Sequence, residues 1–243
     1  MSIELAIIAA IFTVAVLYSS VGHGGASGYL AVMAFLAVAP GVTRPTALVL
    51  NLFVASIATV QFWRAGHFSW GLFWPFAATS IPSAFIGGMI ILPTSVYRPV
   101  LGAVLLFAAF RLAWSFTKEV PEIKRPNLVL ALCIGAGIGL LSGLVGVGGG
   151  IFLTPVLLLM NWSETKTAAG VSALFILVNS ASGLAGNLAQ VSTLPANSIA
   201  WIGAAIAGGV VGSLLGAKKL ESLMLRRVLA AVLVFAAVKL IFV

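Results

Sequence analysis

The chain has 243 residues, of which 61% are hydrophobic and only 7% are charged, and its formal net charge is +8. A soluble domain of this length carries about 25% charged residues because its surface meets water, so the composition excludes an ordinary soluble protein. It predicts an all-α protein that crosses a membrane several times and has no separate soluble domain. The basic residues then report topology and contacts with lipid headgroups, and nucleic acid is not expected as a partner.

The first half of the sequence predicts five apolar segments, of which the second is short. A glycine break, Gly22-His23-Gly24-Gly25, separates the first segment from the short one, at a point where a membrane-spanning helix would ordinarily continue. The longer segments approach the roughly 20 residues that cross a hydrocarbon core. The predicted segments of the first half are 3–21, 26–39, 46–62, 70–92 and 99–116.

The second half of the sequence repeats this layout. Its glycine break spans 146–149, and residues 228–237 match residues 100–109 at eight of ten positions. With a third match between 164–168 and 43–47, the similarities occur in the same order at nearly constant spacing, which indicates an internal duplication. The predicted segments of the second half are 127–145, 151–160, 167–190, 197–217 and 224–243.

The short segments leave two possibilities open. Each turns back as half of a re-entrant hairpin or crosses thinly, and both options return the chain to the side where that half began. Ten of the 13 basic residues then share one side, whereas a single crossing made of long and short segments would divide them seven to six. The positive-inside rule favours the first arrangement, with the ten residues in the cytoplasm. Those ten are Arg64, Arg111, Lys118, Lys124, Arg125, Lys166, Lys218, Lys219, Arg226 and Arg227, and the other three are Arg44, Arg98 and Lys239.

This topology makes the two halves inverted repeats, which is an architecture of secondary transporters. We divide the chain into a first membrane repeat, 1–118, a cytoplasmic linker, 119–126, and a second membrane repeat, 127–243. Each repeat is a glycine-broken or re-entrant hairpin followed by three further spans, giving about eight to ten membrane segments. Both termini are predicted to lie outside the cytoplasm.

The glycine breaks predict a site for an anion. Non-helical backbone at membrane depth is costly unless protein or a wet cavity satisfies its polar groups. The helices that begin after the breaks offer free N–H donors and the positive end of a helix dipole, and inverted symmetry would bring both near the midplane. The alternative is that glycine serves close helix packing. We expect that packing role for the pairs Gly87-Gly88 and Gly208-Gly209.

Polar residues on the third span of each half extend this candidate site. Asn51 and Ser172 occupy equivalent positions in the two repeats, and Asn179 lies further along the second copy. Such residues either line the pathway or merely tie helices together. The candidate substrate-binding residues are Gly22, His23, Gly24, Gly25, Ala26, Asn51, Gly146, Gly148, Gly149, Gly150, Ser172 and Asn179.

His23 is the only titratable side chain in either break. A histidine exchanges a proton near neutral pH, so His23 is the candidate for coupling transport to protons. The alternative is a neutral histidine that is hydrogen-bonded to a nearby carbonyl. Away from the breaks, we expect Arg44 to reach the headgroups and the single cysteine, Cys133, to be a small core residue.

The acidic residues support an anionic substrate by their positions. All five lie in predicted loops or at segment ends, so no carboxylate within a span is available for a cation. The sequence has no nucleophile–base pair, paired carboxylates or metal-ligand cluster, so we predict neither an enzyme nor a cofactor. The expected partners are a small anion and the lipid bilayer, and the oligomeric state stays open.

The repeated G-x-G-G breaks, the A-G-V-S-A run at 169–173 and the two-copy layout resemble the sulfite exporter TauE/SafE family of bacterial permeases. The resemblance covers essentially the whole chain. Residues 141–155 are the closer copy, and the first copy departs from it at His23 and Ala26. The resemblance implies a transporter of small sulfur-containing anions such as sulfite, thiosulfate or organosulfonates in the inner membrane of a bacterium, with both termini in the periplasm. The inverted repeats predict that it works by alternating access. An anion channel with the same dipole-lined site is the alternative.

Overall fold

The computed structural model describes residues 3–36, 38, 40–113, 123–189, 194 and 198–218, and isolated positions between 230 and 241. In these residues it contains nine α-helices and no β-strand, which confirms an all-α protein. Most of the tenth predicted segment, 224–243, lies outside the described residues. The helices are α1 (Ile3–Ser19), α2 (Ala26–Phe35), α3 (Pro40–Arg64), α4 (Trp70–Met89), α5 (Thr94–Ala113), α6 (Leu128–Val145), α7 (Gly150–Leu159), α8 (Thr165–Ala185) and α9 (Ser198–Lys218).

The helix boundaries agree with the predicted segments to within three residues except at four ends: α2 and α8 end four and five residues earlier than expected, and α3 and α5 begin earlier. Helices α3 and α5 begin about two turns and one turn earlier than expected, and both carry a proline, Pro45 and Pro99, inside their first two turns. Each proline is the sixth residue of its helix, so it removes the hydrogen bond to the carbonyl four residues earlier, and the helix nevertheless continues through it. The prolines therefore do not mark the helix starts. Four helices, α3, α6, α8 and α9, contain stretches long and apolar enough to cross a membrane.

Helices α3 and α8 form an antiparallel pair that joins the two halves of the chain. Asn51 of α3 is hydrogen-bonded to Ser180 of α8. Towards the start of α3, Leu48 lies beside Gly183, and towards its end Phe62 lies beside Gly170. Residue numbers thus rise along α3 as they fall along α8. We call the two ends of this bundle the Arg44 end, where α3 begins, and the Arg64 end, where α3 ends.

The remaining long helices pack across the halves in matching pairs. Helix α4 lies against α6, and α1 lies against α9. Helix α4 also contacts α8, while α9 contacts α3. In the predicted repeats α1 corresponds to α6, α3 to α8 and α4 to α9. The contact of α4 with α6 therefore corresponds to that of α9 with α1, and the contact of α4 with α8 corresponds to that of α9 with α3.

Glycine permits the helices of the α4–α6 pair and of the α1–α9 pair to approach each other closely. Along α6, Gly135, Gly139 and Gly143 lie against the backbone of α4, and along α9, Gly208, Gly212 and Gly216 lie against the backbone of α1. A Cβ at these positions would collide with backbone atoms of the partner helix, so small residues are needed for this packing. The pairs Gly87-Gly88 and Gly208-Gly209 also lie against neighbouring helices, which confirms their packing role.

Arg44 does not reach for headgroups as expected. It is only 4% exposed, and its guanidinium donates to the carbonyls of Gly87, Gly88 and Ile90 at distances of 2.6–2.9 Å. These are the last carbonyls of α4, which have no intrahelical donors and carry the negative end of the helix dipole. Arg44 therefore caps the C-terminus of α4. The expectation was wrong because the nearby helix end offers a buried counter-dipole.

Cys133 is not a core residue. It lies on α6 and is exposed at the outer surface of the helix bundle. In a membrane protein that surface faces apolar lipid, so a small apolar side chain there incurs no penalty. Apolarity in the sequence therefore did not distinguish the lipid-facing side of α6 from its packed side.

Candidate substrate site at the two glycine breaks

The two breaks adopt backbone conformations that favour glycine. Gly22 and Gly25 have φ of 75° and 95°, and Gly146, Gly148 and Gly149 have φ between 80° and 87°. An L-residue with a Cβ is disfavoured in this left-handed region. Gly25 and Gly149 are the residues immediately before α2 and α7. The glycines therefore set the direction in which each short helix leaves its break.

The start of each short helix carries unused backbone donors. Among the described residues, no protein acceptor engages the N–H groups of Gly24, Gly25, Gly148 or Gly149. Neither α2 nor α7 has a side-chain cap. The first N–H groups of a helix have no intrahelical acceptors and carry the positive end of its dipole. Both breaks thus present donors suited to a negatively charged group.

The two breaks converge on one side chain. A Cβ built on Gly24 would lie 2.5 Å from Oδ1 of Asn51, and one built on Gly148 would lie 2.7 Å from its Nδ2. Both glycines also lie against Ile176 of α8. The structure therefore brings a break from each half to opposite sides of the Asn51 carboxamide.

This convergence lies near the middle of the bundle. Asn51 is close to the centre of α3, which has 25 residues, and Ile176 is close to the centre of α8, which has 21. The centre of such a helix is roughly 16–19 Å from either end at 1.5 Å per residue. A hydrocarbon core is about 30 Å thick, so this level corresponds to its midplane.

Helices α2 and α7 run from that level to opposite ends of the bundle. Helix α2 leads to the start of α3 at the Arg44 end, and α7 leads to the start of α8 at the Arg64 end. The first turn of α2 packs back on α1, because Gly28 contacts Val14 and Tyr18, and the Ser27 hydroxyl donates to Oη of Tyr18 at 2.7 Å. The positive ends of both short helices therefore lie at the centre.

The Asn51 side chain is fully buried and half satisfied. Its Nδ2 donates to the carbonyl of Val147 in the second break at 3.4 Å and to Oγ of Ser180 at 3.3 Å. Its Oδ1 is buried and has no hydrogen-bond partner in the part of the chain that the structure describes. The carboxamide therefore holds the second break with its donor and presents an unused acceptor towards the first.

His23 connects the first break to the second half through hydroxyl groups. Its Nδ1 lies 3.0 Å from the carbonyl of Val21, and because a carbonyl only accepts, Nδ1 carries the proton. Its Nε2 lies 3.4 Å from Oγ of Thr154 on α7, which is 2.8 Å from Oγ of Ser172. The contact with a carbonyl that is expected of a neutral histidine is therefore present. In the neutral ring Nε2 accepts a hydrogen bond from Thr154, and protonation would make Nε2 the donor.

The other predicted residues lie at this centre or between it and the two ends. Gly22 contacts Ala169 near the start of α8, and Gly146 lies beside Arg44 near the start of α3, so both lie towards the ends of the bundle. Gly150 lies against Ile176, and Ala26 is buried as the first residue of α2.

Asn179 makes the contacts of a helix tie. Its Nδ2 donates to the carbonyl of Phe175, and its Oδ1 accepts from the Ser80 hydroxyl of α4 at 2.9 Å. Both ends of this amide are therefore occupied by protein partners, unlike those of Asn51. A role for any of the twelve predicted residues in binding substrate stays a prediction.

Comparison with known proteins identifies the family. A family model described as "Sulfite exporter TauE/SafE" matches residues 7–240, nearly the whole chain. The chain belongs to the sulfite exporter TauE/SafE family. It is also 40% identical over 236 residues to the "Probable membrane transporter protein y4hK" of Sinorhizobium fredii (strain NBRC 101917 / NGR234), covering 96% of each chain. No solved structure matches it.

As a TauE/SafE family member, the protein is a multi-pass membrane transporter rather than an enzyme. Among the described residues there is no group of three or more His, Cys, Asp or Glu side chains that could hold a metal ion.

Sequence reasoning missed several residues that this TauE/SafE transporter places around the breaks. Thr154 is hydrogen-bonded to His23, and Ser180 is hydrogen-bonded to Asn51. The Tyr29 hydroxyl is buried beside Gly25 and has no partner within the described ranges. Thr154 and Tyr29 were detectable as polar groups within the short apolar segments. Ser180 had no comparable signal, because serine is common on packed membrane helices.

The transporter also has an open cavity of about 630 Å³ at the Arg64 end. Lys124 and Arg125 lie in its wall, together with Ser163, Glu164 and the start of α8. Two cations in a recess attract anions from solution before any tighter binding occurs. Thr167 in the cavity wall lies about three and a half turns of α8 before Ser180, the residue that is bonded to Asn51.

Proposed function

We propose that this protein is a secondary transporter that carries a small, sulfur-containing oxyanion across the membrane. The observation that carries the proposal is the convergence of Gly24 and Gly148 on Asn51, which brings the N-termini of α2 and α7 together. An anion at this point would accept hydrogen bonds from both breaks and face the positive ends of two helix dipoles.

The distribution of acidic residues supports an anion over a cation. The described glutamates, Glu4 and Glu164, lie in the first turn of α1 and immediately before α8, both at helix ends. Cation sites and proton relays within membranes ordinarily use carboxylates placed inside the helices. The centre of the described bundle instead offers backbone N–H groups, hydroxyls, an amide and His23.

The packing supports inverted repeats and alternating access. Helices α3 and α8 are equivalent in the predicted repeats and run antiparallel, as an inverted pair requires. Leu48 contacts Gly183, and Phe62 contacts Gly170. In the predicted repeats Phe62 corresponds to Gly183, and Leu48 corresponds to the residue next to Gly170. The second contact is therefore the repeat of the first, to within one residue. Rocking about such a pair would expose the centre first to one side and then to the other.

The substrate class rests on the family description. The family is described as sulfite exporters, and sulfite is a small oxyanion whose oxygens accept hydrogen bonds. The relative from Sinorhizobium is named as a membrane transporter without a substrate. Sulfite, thiosulfate and organosulfonates are therefore the anions to test, in a bacterial inner membrane with both termini in the periplasm.

The proposal is tested by counterflow in liposomes. Purified protein is reconstituted with a high internal concentration of unlabelled sulfite, and uptake of a trace of labelled sulfite is followed; thiosulfate and a sulfonate are then tested in the same way. A carrier accumulates label transiently above its external concentration, because unlabelled sulfite inside the liposome competes with the label for the site on the way out. A channel with the same site would only equilibrate the label. Absence of protein-dependent flux for every anion would refute the transport proposal.

A further inference from the structure

The candidate site contains an acceptor that an ordinary anion cannot satisfy. Oδ1 of Asn51 is buried in a residue with no exposed surface, has no hydrogen-bond partner among the described residues, and lies towards the first break. A buried polar atom without a partner is uncommon in native proteins, and a missing ligand is one of its explanations. The atom therefore carries information about what the site binds.

The orientation of this carboxamide follows from its partners. The group opposite Val147 must donate, because the Val147 carbonyl only accepts, so Nδ2 occupies that position. Exchanging the two atoms would set two acceptors against each other. Oδ1 is therefore held towards Gly24 by the contact that Nδ2 makes with the second break.

Its surroundings otherwise offer donors. The N–H groups of Gly24, Gly25, Gly148 and Gly149 have no acceptor among the described residues, and the Tyr29 hydroxyl beside Gly25 is also buried without a partner. A fully deprotonated oxyanion has acceptor atoms only. It would satisfy the N–H groups and the tyrosine but would place one more acceptor against Oδ1.

We propose that the site selects anions that carry one hydrogen-bond donor, such as a singly protonated oxyanion or a hydroxyl-bearing sulfonate. The ligand's oxygens face the N–H groups of the two breaks, and its donor reaches Oδ1 of Asn51. This inference rests on the proposed anion site and specifies its substrate. It also means that a transported weak acid moves in its monoprotonated form, so the substrate itself carries a proton.

Two probes of the same shape and charge isolate the donor. Methanesulfonate and the methylphosphonate monoanion each have a methyl group, three oxygens and one negative charge, and only methylphosphonate carries an O–H. Binding of each to the purified protein is measured by ligand-dependent thermal stabilisation at a mildly acidic pH, where methylphosphonate retains its proton. We expect methylphosphonate to bind about tenfold more tightly, the effect of one hydrogen bond worth about 1.4 kcal/mol.

Variants on α3 assign the effect to Asn51. Asn51→Leu removes the acceptor at similar volume, and we expect it to bring the two affinities within about twofold of each other, less than one hydrogen bond would produce. Thr59→Val is the matched control, because Thr59 is buried on the same helix and its hydroxyl donates locally to the Ala55 carbonyl at 2.7 Å. This control should keep the wild-type ratio.

The outcomes separate this inference from the proposed function. Equal binding of both probes by the wild-type protein would overturn donor selection and leave the anion site standing, and this measurement does not depend on whether a variant folds. An unchanged ratio in Asn51→Leu would place the selecting acceptor elsewhere and overturn the role of Asn51. If neither methanesulfonate nor methylphosphonate nor sulfite stabilises the wild-type protein, the anion site itself is refuted.

Discussion

Gly24 is the position at which a single methyl group would change the centre of the protein most directly. Its surroundings are the Asn51 carboxamide on one side and Ile176 on the other, and its φ is not among the positive values of the break. Gly25 and Gly149, by contrast, have positive φ, and side chains there would meet Tyr29, or Ile138 and Phe175. Leucine at Gly25 or Gly149 would strain the backbone as well as fill the site. Gly24 therefore offers the cleaner test.

We expect Gly24→Ala to lower transport by about tenfold or more. Its methyl group would lie 2.5 Å from Oδ1 of Asn51, so the carboxamide or the break must shift, and overpacking of this kind costs about 1–3 kcal/mol. The measurement is the initial rate of anion uptake into liposomes.

Gly203→Ala is the control for Gly24→Ala, because a Cβ on Gly203 meets nothing within 4 Å. It should transport at the wild-type rate. Normal transport by Gly24→Ala would show that the breaks are packing devices and that the proposed site is misplaced.

We expect His23 to give the proposed anion site a pH dependence, and its charge when protonated sets the sign. When protonated, Nε2 becomes a donor towards Thr154 and the ring adds a positive charge beside the first break, so anion binding strengthens. We expect affinity for methanesulfonate to fall as pH rises from about 5 to 8, a range that brackets the histidine reference value. Methanesulfonate is the suitable probe because its own charge does not change in this range.

His23→Gln should bind more weakly at low pH and show a flatter pH profile. Glutamine can keep one hydrogen bond to Val21 or Thr154 but cannot become charged in this range. Parallel profiles for the wild-type protein and the variant would assign His23 a purely structural role, with any proton travelling by another route.

At the scale of the helices, close backbone contact is concentrated on α6 and α9. One face of α6 carries Gly139 against Ser80 of α4, whereas Gly137 is exposed and has nothing within 4 Å of a built Cβ. The two positions are separated by only two residues of the same helix. Alanine at these two positions therefore separates the cost of a collision with α4 from the intrinsic effect of replacing glycine in a helix.

We expect Gly139→Ala to destabilise the protein by about 1–3 kcal/mol, because the added Cβ collides with the backbone of Ser80. For a chain of this size that corresponds to a fall in Tm of roughly 2–4 °C per kcal/mol. Gly137→Ala should leave the Tm unchanged or raise it slightly, since alanine favours helix more than glycine does. Equal Tm values for the two variants would contradict the α4–α6 contact.

At the scale of the whole molecule, the two halves of the chain pack against each other through several helix pairs, with the antiparallel pair of α3 and α8 between them. Helix α4 of the first half packs on α6 of the second, and α9 of the second packs on α1 of the first. Each half therefore depends on the other for its closest packing, and the candidate site needs a break from each. A single half would expose both its glycine faces and half of the site.

The charge distribution predicts how this molecule sits in the membrane. Among the described basic residues, Arg64, Lys124, Arg125 and Lys166 lie at the Arg64 end, so the positive-inside rule predicts that this end faces the cytoplasm. We expect a reporter that is active only in the periplasm to be active when fused after Val243 and inactive when inserted at Gly66, in the loop after α3. The reverse pattern would turn the molecule over, and activity at both positions would remove the inverted-repeat proposal.

The sequence alone determined the features that depend on local composition. Apolar runs identified a helical membrane protein, and the positions of the two glycine breaks followed from residues with unusual backbone freedom. Asn51, His23 and Ser172 were also recognisable, because polar groups within apolar segments are costly unless they have a purpose.

Only the tertiary structure decided which of these groups meet. Gly24, Gly148 and Asn51 lie on three separate segments, and Arg44 finds its partners more than forty residues away at the end of α4. In a membrane, lipid is as apolar as a protein core, so hydrophobic pattern does not indicate which side of a helix is packed; Cys133 was misplaced for that reason. The contacts that build the site arise from close backbone packing and long-range hydrogen bonds, and neither has a local signature in the sequence.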